Sequence, residues 1–443
     1  MFAAADLVWP PISGGRVRAL SQLRALASLP EVDRVVLFSL SEEPLRAEHR
    51  DELTRELPKV DVLEPVFHPV HLFRRPGYLP RVVWLRGVRG VPYLAAKWDS
   101  PRVRAALERA LGARCYDVVW LGALGVANYL PVARRLRPGA RIVLDGHNVE
   151  SEIWGQFARR QRGIARLIAD AEWRAALRFE RDTLRGVDAV AAISTDDARA
   201  YRDLAGVDAR FVPQVVPFVR RRPPAVAAPR LCYVGTLSWR PNMRGLDWFF
   251  REVWPHVRAR VPEATLDLVG SGLEAGEGGA PSVPPGWQAP GVTTVGFMAD
   301  LAPVYERSAA LVAPILDGGG VRLKLLEGFR HGVPVVTTPQ GAAGLPIHAG
   351  HEALVENDPR AFAACVARVA TSGTLQARLR DAAYAFLERH HTIEAAQQAM
   401  RAVIGLDTGD ARAGGRASRQ QASGATMLAP RPGTELVPVR ARG

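Results

Sequence analysis

The chain has 443 residues, 48% of them hydrophobic and 23% charged, a balance that fits two or three globular domains and excludes a wholly disordered or collagenous protein. Net charge is +13, but only Lys59, Lys97 and Lys324 are lysines. The arginines lie interleaved with acids in an Ala-, Gly- and Pro-rich chain, which reads as coding bias and solvated helix faces, so no nucleic-acid partner is expected. Cys115, Cys232 and Cys365 are scattered and odd in number, which gives no disulfide framework or zinc pattern and fits a reducing compartment.

The N-terminal MFAAADLVWPPISGG lacks a basic leader, and its first strand is poor enough to suggest that the chain starts late. The longest uncharged apolar stretch, Val118 to Ala133, is too short for a bilayer and is interrupted by Asn128, Tyr129 and Pro131. A cytoplasmic protein is the expectation. A glycine turn at Pro11–Gly15 precedes a helix at about 16–29, and 32–40 reads as a buried strand.

Residues 65–98 contain no acid, and Arg74, Arg75, Arg81, Arg86, Arg89 and Lys97 alternate there with Phe73, Tyr78, Trp84 and Tyr93. Such a segment suits peripheral contact with an anionic membrane or a lipid-diphosphate acceptor. The equal alternative is a loop of buried aromatics and solvated arginines.

Strands at 116–122, 141–148 and 186–194 then alternate with helices at about 101–112, 125–137 and 151–185, the last interrupted at Gly163. A Pro- and Arg-rich linker spans about 216–230. Beyond it, strands at 231–237, 264–270, 292–297, 310–315 and 334–339 alternate with helices starting near Pro241 and Val321. Helices at about 359–371, 375–390 and 393–404 follow. This alternation implies two doubly wound parallel-sheet α/β domains, 1–218 and 219–404, with a tail at 405–443 too polar and Gly-rich to order.

The segment most informative about chemistry is ALVAPILDGGGVRLKLLEGF, 310–329, a buried strand followed by three glycines and a helix start. Arg322 and Lys324 stand in the first helical turn, where a cation conflicts with the positive end of the dipole unless a polyanion binds. Glu327 follows on the same face, placed to accept hydroxyl hydrogen bonds from a ribose or sugar. The alternative is an exposed salt bridge between Lys324 and Glu327. Taken together, the glycine turn, basic pair and acid point to a nucleotide-diphosphate site.

His147 lies just past the strand IVLD, where ligands of doubly wound sheets bind, unless it merely fixes its own loop on nearby backbone. Asn148 and Ser151 are the candidate caps of the following helix, and Asn242 in RPNM is a candidate cap of another. HPVH (68–71) and HAGH (348–351) pair histidines without nearby acids or cysteines, so no metal is expected.

The 310–345 segment resembles the donor site of family 4 glycosyltransferases. PPISGGRVRAL, DGHNVES, YVGTLSWRPNMRGLDWFF and VGFMADLAPVYERSAALVAPI match the family in order, over roughly residues 5–404. The resemblance implies the GT-B architecture, two facing Rossmann-like domains, in a branch associated with bacterial exopolysaccharide assembly. It implies that Gly14 and Gly15 line the cleft, that Asn242 faces the donor, that Glu327 binds the nucleotide ribose, and that His147 contacts donor sugar or acceptor.

Two departures stand out. The first acid of the family's E-x7-E pair falls on Gly319, and Thr236 replaces a diphosphate-binding arginine whose companion lysine is only roughly matched by Arg244. Arg322 and Lys324 would then take over the diphosphate clamp. The implied activity is sugar transfer, with retention, from a nucleotide-diphosphate sugar to a glycan or lipid-linked acceptor, without a cofactor or metal. A nucleotide-sugar epimerase and a weakly catalytic sugar-nucleotide-binding subunit are the rival readings.

Overall fold

The computed structural model describes residues 1–68, 80, 84, 87, 90–221, 228–273, 283–317 and 323–407. The expected disorder of the tail therefore falls almost wholly outside the described residues. So do all the arginines of the basic aromatic segment.

The first sheet comprises β1 (Phe2–Ala4), β2 (Val35–Ser41), β3 (Val60–Val62), β4 (Val66–Phe67), β5 (Val118–Leu121), β6 (Arg141–Gly146), β7 (Ala189–Ala192) and β8 (Ala209–Phe211). Its strands are parallel in the order β3-β2-β1-β5-β6-β7-β8, with β4 paired to β2. Both faces are covered, which is why the strands read as continuous apolar runs. Ala3, Phe38, Val119, Leu121, Ile142 and Leu144 join one core. Their neighbours Phe2, Leu37, Trp120 and Val143 join the other, as period-two alternation requires.

Helices α1 (Gly14–Ala27), α2 (Ala47–Glu56), α3 (Tyr93–Ala96), α4 (Pro101–Ala113), α5 (Leu130–Leu136), α6 (Glu150–Arg159), α7 (Gly163–Gly186) and α8 (Thr195–Ala205) belong to this half. The helix expected at 151–185 is two helices, and Gly163 starts the second at φ +57°, a conformation that favours glycine.

The second sheet comprises β9 (Arg230–Val234), β10 (Thr265–Val269), β11 (Val292–Gly296), β12 (Ala310–Ala313), β13 (Val335–Thr337) and β14 (Leu354–Val355). It is also parallel, in the order β11-β10-β9-β12-β13-β14. Its helices are α9 (Arg240–Trp248), continued through a π turn into α10 (Trp254–Arg260), then α11 (Ala302–Glu306), α12 (Leu323–Arg330) and α13 (Pro339–Ala342). α14 (Pro359–Thr371), α15 (Gly373–His390) and α16 (Ile393–Ile404) complete the described chain.

The last helix, next to the second sheet in chain order, packs on the first. Ala396, Met400, Val403 and Ile404 share a core with Phe2, Trp120 and Val143, and Arg141 Nε donates to Val403 O at 2.7 Å.

The chain thus crosses between the sheets twice, and the two crossings are bonded together. Val216 N donates to His391 O at 3.0 Å, and His391 Nδ1 lies 2.9 Å from Gln214 O. Gln214 Nε2 donates to Val17 O, and Val215 N to Ser21 Oγ, tying this strap to α1.

His391 is buried, and burial pushes its imidazole down to about 4 from 6.5. Unfolded chain therefore binds a proton where folded chain does not. The stability due to neutral His391 is complete above pH 6.5 and is lost as pH falls toward 4. We expect urea unfolding at pH 5 to show the wild type weakened by about 2 kcal/mol relative to pH 7.5 through this residue alone. His391→Gln, which keeps a donor for the Gln214 carbonyl, should flatten that part of the profile. An unchanged slope would remove His391 as its origin.

Candidate functional site

In a doubly wound sheet the ligand crevice lies where neighbouring strands send their connections to opposite sides. In the second sheet this point falls between β9 and β12. Gly235 and Thr236 follow β9, and Asp317 ends the turn after β12. The backbones approach closely here: a Cβ on Gly245 would lie 1.8 Å from Pro314 O, so only glycine lets α9 pack against the exit of β12.

Lys324, in the first turn of α12, is folded into this crevice. Its Nζ donates to Asn242 Oδ1 at 3.0 Å and Tyr233 Oη at 3.1 Å, and sits 4.4 Å from the centre of the Tyr233 ring. A Cβ on Gly235 would come within 3.0 Å of Lys324 Nζ and 3.1 Å of Asn242 Nδ2, so the glycine makes room for the pair.

Asn242 is not a helix cap. The helix starts at Arg240 after Trp239, and the buried Asn242 amide turns back to donate to Thr236 O at 2.8 Å while holding Lys324. The residue that departs from the family pattern thus contributes its backbone.

The alternative reading of Glu327, a salt bridge with Lys324, gives way to other partners. Glu327 lies 3.5 Å from Arg330 and 3.8 Å from His331, with about a third of its side chain exposed. Burial raises its carboxyl above the usual range, with Arg330 acting against the rise. Burial, and then the nearby Arg330 and Arg221, push His331 down to about 4, so Arg330 is the charged partner at neutral pH. Arg322 and Gly319 lie outside the described residues.

Asp317 is a site residue that the sequence reading passed over. Its buried carboxylate receives Arg244 of α9 and Arg160, which follows α6 in the first domain. Arg244 is therefore engaged by an acid, and the two domains are bridged at the mouth of the crevice. A second approach lies nearby: a Cβ on Gly14 would lie 3.5 Å from Leu323 Cδ1, the first residue of α12. Ser13 caps α1 by accepting from Arg16 N, and Gly15 faces open space. The two glycines thus stand at the N-terminus of α1 opposite the N-terminus of α12.

His147 is held by a side chain rather than by its own loop backbone. Its Nε2 lies 3.1 Å from Asp145 Oδ2, and the fully buried Asp145 accepts from Arg18 Nη2 at 3.0 Å. Burial alone would raise the Asp145 carboxyl, but Arg18 and His147 outweigh it and hold it below the usual range. Neither Asn148 nor Ser151 caps α6. Both oxygens of Glu180, on α7, accept from Glu150 N and Ser151 N at 2.9 Å. Tyr201 Oη donates to Asn148 O at 2.6 Å. The loop carrying His147 is therefore fixed from three sides.

A cavity of about 330 Å³ opens beyond β1, β2 and β4, lined by Asp6, Arg16, Glu42, His68 and Trp98 among others. His68 is buried, stacks on Trp98 with centroids 5.7 Å apart, and bonds Lys97 O through Nε2 at 2.9 Å. Lys97, read from sequence as a surface cation, is half-buried, and burial lowers its ammonium against the pull of Glu150. The pair His348 and His351 does have a nearby acid: buried Glu352 lies 3.0 Å from His351 Nδ1 and accepts from His348 N.

Residues 228–372 match the family model described as Glycosyl transferases group 1. Over 162 residues the chain is 26% identical to an uncharacterized 44.6 kDa protein in the cps region of Klebsiella pneumoniae, a match covering 36% of this chain and 42% of that protein. The chain thus spans less than half the length of that relative.

Among solved structures, HepE of Anabaena in complex with UDP and glucose is similar at TM-score 0.61 and 13% identity, covering 92% of this chain and 100% of that one. Sucrose-phosphate synthase from Thermosynechococcus elongatus is similar at TM-score 0.60 and 16% identity, over 95% and 99%. A trehalose 6-phosphate synthase from Burkholderia multivorans is similar at TM-score 0.58 and 14% identity, over 92% and 98%. At such identities the likeness carries the fold, and the two parallel-sheet α/β domains of this chain have the GT-B architecture that its sequence resembled.

Proposed function

We propose that the chain transfers a sugar from a nucleotide-diphosphate donor to a glycan or lipid-linked acceptor, with retention and without a metal. The observation that carries this reading is Lys324: a cation drawn into the crevice at the start of a helix, at the switch point of the second sheet. Its ammonium stabilises the departing diphosphate at the start of α12. Asn242 and Tyr233 hold that ammonium in place, and Glu327 accepts the ribose hydroxyls.

The first domain supplies the acceptor side. Gly14 and Gly15 let the diphosphate pass between the two helix N-termini, and His147, oriented by Asp145, hydrogen-bonds a hydroxyl of the donor sugar or the acceptor. Closure of the domains excludes water and limits hydrolysis of the donor. HepE is described with UDP, with UDP and glucose, and with UDP-glucose, so uridine nucleotides are the first donors to test.

Calorimetry with UDP and uridine tests the clamp. Lys324→Ala should weaken UDP at least about tenfold and uridine far less, because a charge-assisted hydrogen bond contributes about 1.5–3 kcal/mol. Equal losses would show that Lys324 does not meet the diphosphate. Glu327→Gln should weaken both ligands and erase the preference for ribose over deoxyribose. Melting temperatures of the free variants control for folding.

Turnover is read as UDP released from UDP-sugars with and without a panel of glycan acceptors. Release that needs an acceptor marks transfer, whereas sugar isomerisation without one marks an epimerase. His147→Ala should lower turnover at least about tenfold, or about 1.4 kcal/mol of transition-state stabilisation. Nucleotide affinity and melting temperature should hold. Activity that falls only in step with stability would take His147 out of the reaction.

A further inference from the structure

The N-terminal half of α7 is apolar on its solvent side. Ile164 is 77% exposed, and Leu167 and Ile168 are each 67% exposed. At about 100° per residue these three occupy one stripe roughly a quarter-turn wide. Ala169, Ala176 and Glu180, which are buried, lie on the opposite side. The helix is thus amphipathic in the wrong sense for a surface helix, with small residues packed inward and large aliphatics facing solvent.

The flanking charge says what covers the stripe. Arg174 and Arg178, both exposed, continue the same helix face beyond the aliphatics, and exposed Arg159 and Arg162 precede it. Of the acids on this helix, Asp170 accepts from Arg166 Nε at 2.7 Å and Glu172 accepts from Tyr93 N, while exposed Asp182 stands a turn beyond Arg178, away from the aliphatics. Large aliphatics flanked by exposed arginines on one face match the boundary of a lipid leaflet, apolar below and anionic at the headgroups. No described helix is long and apolar enough to cross a membrane, so the contact is interfacial.

The stripe begins four residues after Arg160, which reaches Asp317 at the mouth of the crevice. We propose that Ile164, Leu167 and Ile168, with Arg162, Arg174 and Arg178, dock the chain on an anionic lipid surface, with the crevice opening beside it. The proposal does not depend on the transferase reading. If that reading also holds, the acceptor arrives from the lipid.

The experiment is cosedimentation of the full chain, without nucleotide, with vesicles of phosphatidylcholine alone or mixed with phosphatidylglycerol, at low and high salt. The wild type should bind the mixed vesicles, weaken as salt rises, and bind phosphatidylcholine poorly. Replacing Ile164, Leu167 and Ile168 together by Ser should cut partitioning at least about tenfold at an unchanged melting temperature. Arg174→Ser with Arg178→Ser, which leaves the aliphatics in place, should cut it several-fold and flatten the salt dependence.

Wild-type binding that ignores phosphatidylglycerol, or a triple serine variant that binds like the wild type, overturns the proposal. So does sedimentation velocity showing a wild-type dimer that the triple variant abolishes while lipid binding persists. UDP affinity measured separately reports on the donor site alone, so failure of one reading leaves the other standing.

Discussion

The buried ion pair between Arg18 and Asp145 is the constraint on which the rest of the arrangement hangs. Both side chains are essentially inaccessible, and the guanidinium also donates to Val212 O at 2.7 Å. One residue of α1 thereby joins the helix to the end of β6 and to the strap that leads into the second domain. Removing one partner of such a pair leaves an uncompensated charge in the interior, at a cost of about 3–5 kcal/mol. The pair also has a directional consequence: Asp145 presents its other oxygen to His147, so the position of α1 and the orientation of that imidazole are set together.

α1 therefore acts as a strut. Its N-terminal glycine meets α12 across the crevice, its middle holds Asp145, and Val17 and Ser21 bind the strap beside His391. The first of these contacts and the Arg160–Asp317–Arg244 bridge join the domains across the crevice, whereas the Arg18–Asp145 pair lies wholly within the first domain. The crevice itself is shaped by backbone proximity. Gly235 and Gly245 carry no side chain where Lys324, Asn242 and Pro314 come closest, so the cation reaches the switch point without displacing the sheet.

Much of this was legible in the sequence. Continuous apolar runs such as VVLFSL and IVLD marked strands buried on both faces, and the alternation with amphipathic segments marked parallel sheets. The short edge strands β3, β4, β8 and β14 and helix α2 carried too little apolar pattern to be found. In the site, the glycine turn and the basic residue after it pointed to Lys324, because both signals are local. Asp317 and Arg160 were missed because their partners are distant in sequence, and an acid at a strand end looks like any loop residue. Asn242 looked like a helix cap because the sequence around it is local, whereas its actual partners, Thr236 O and Lys324, are set by the packing of α9 and α12.

The longer elements, their alternation and hence the two-sheet architecture follow from the amino-acid order alone, since period, apolarity and turn chemistry act within a few residues. That the final helix returns to the first sheet, that Arg18 and Asp145 meet over 127 positions, and that α7 turns its large aliphatics outward emerges from the folded chain. The reason is physical: helical and strand propensities are local, whereas burial of a charge or exposure of an apolar face depends on what another part of the chain brings against it.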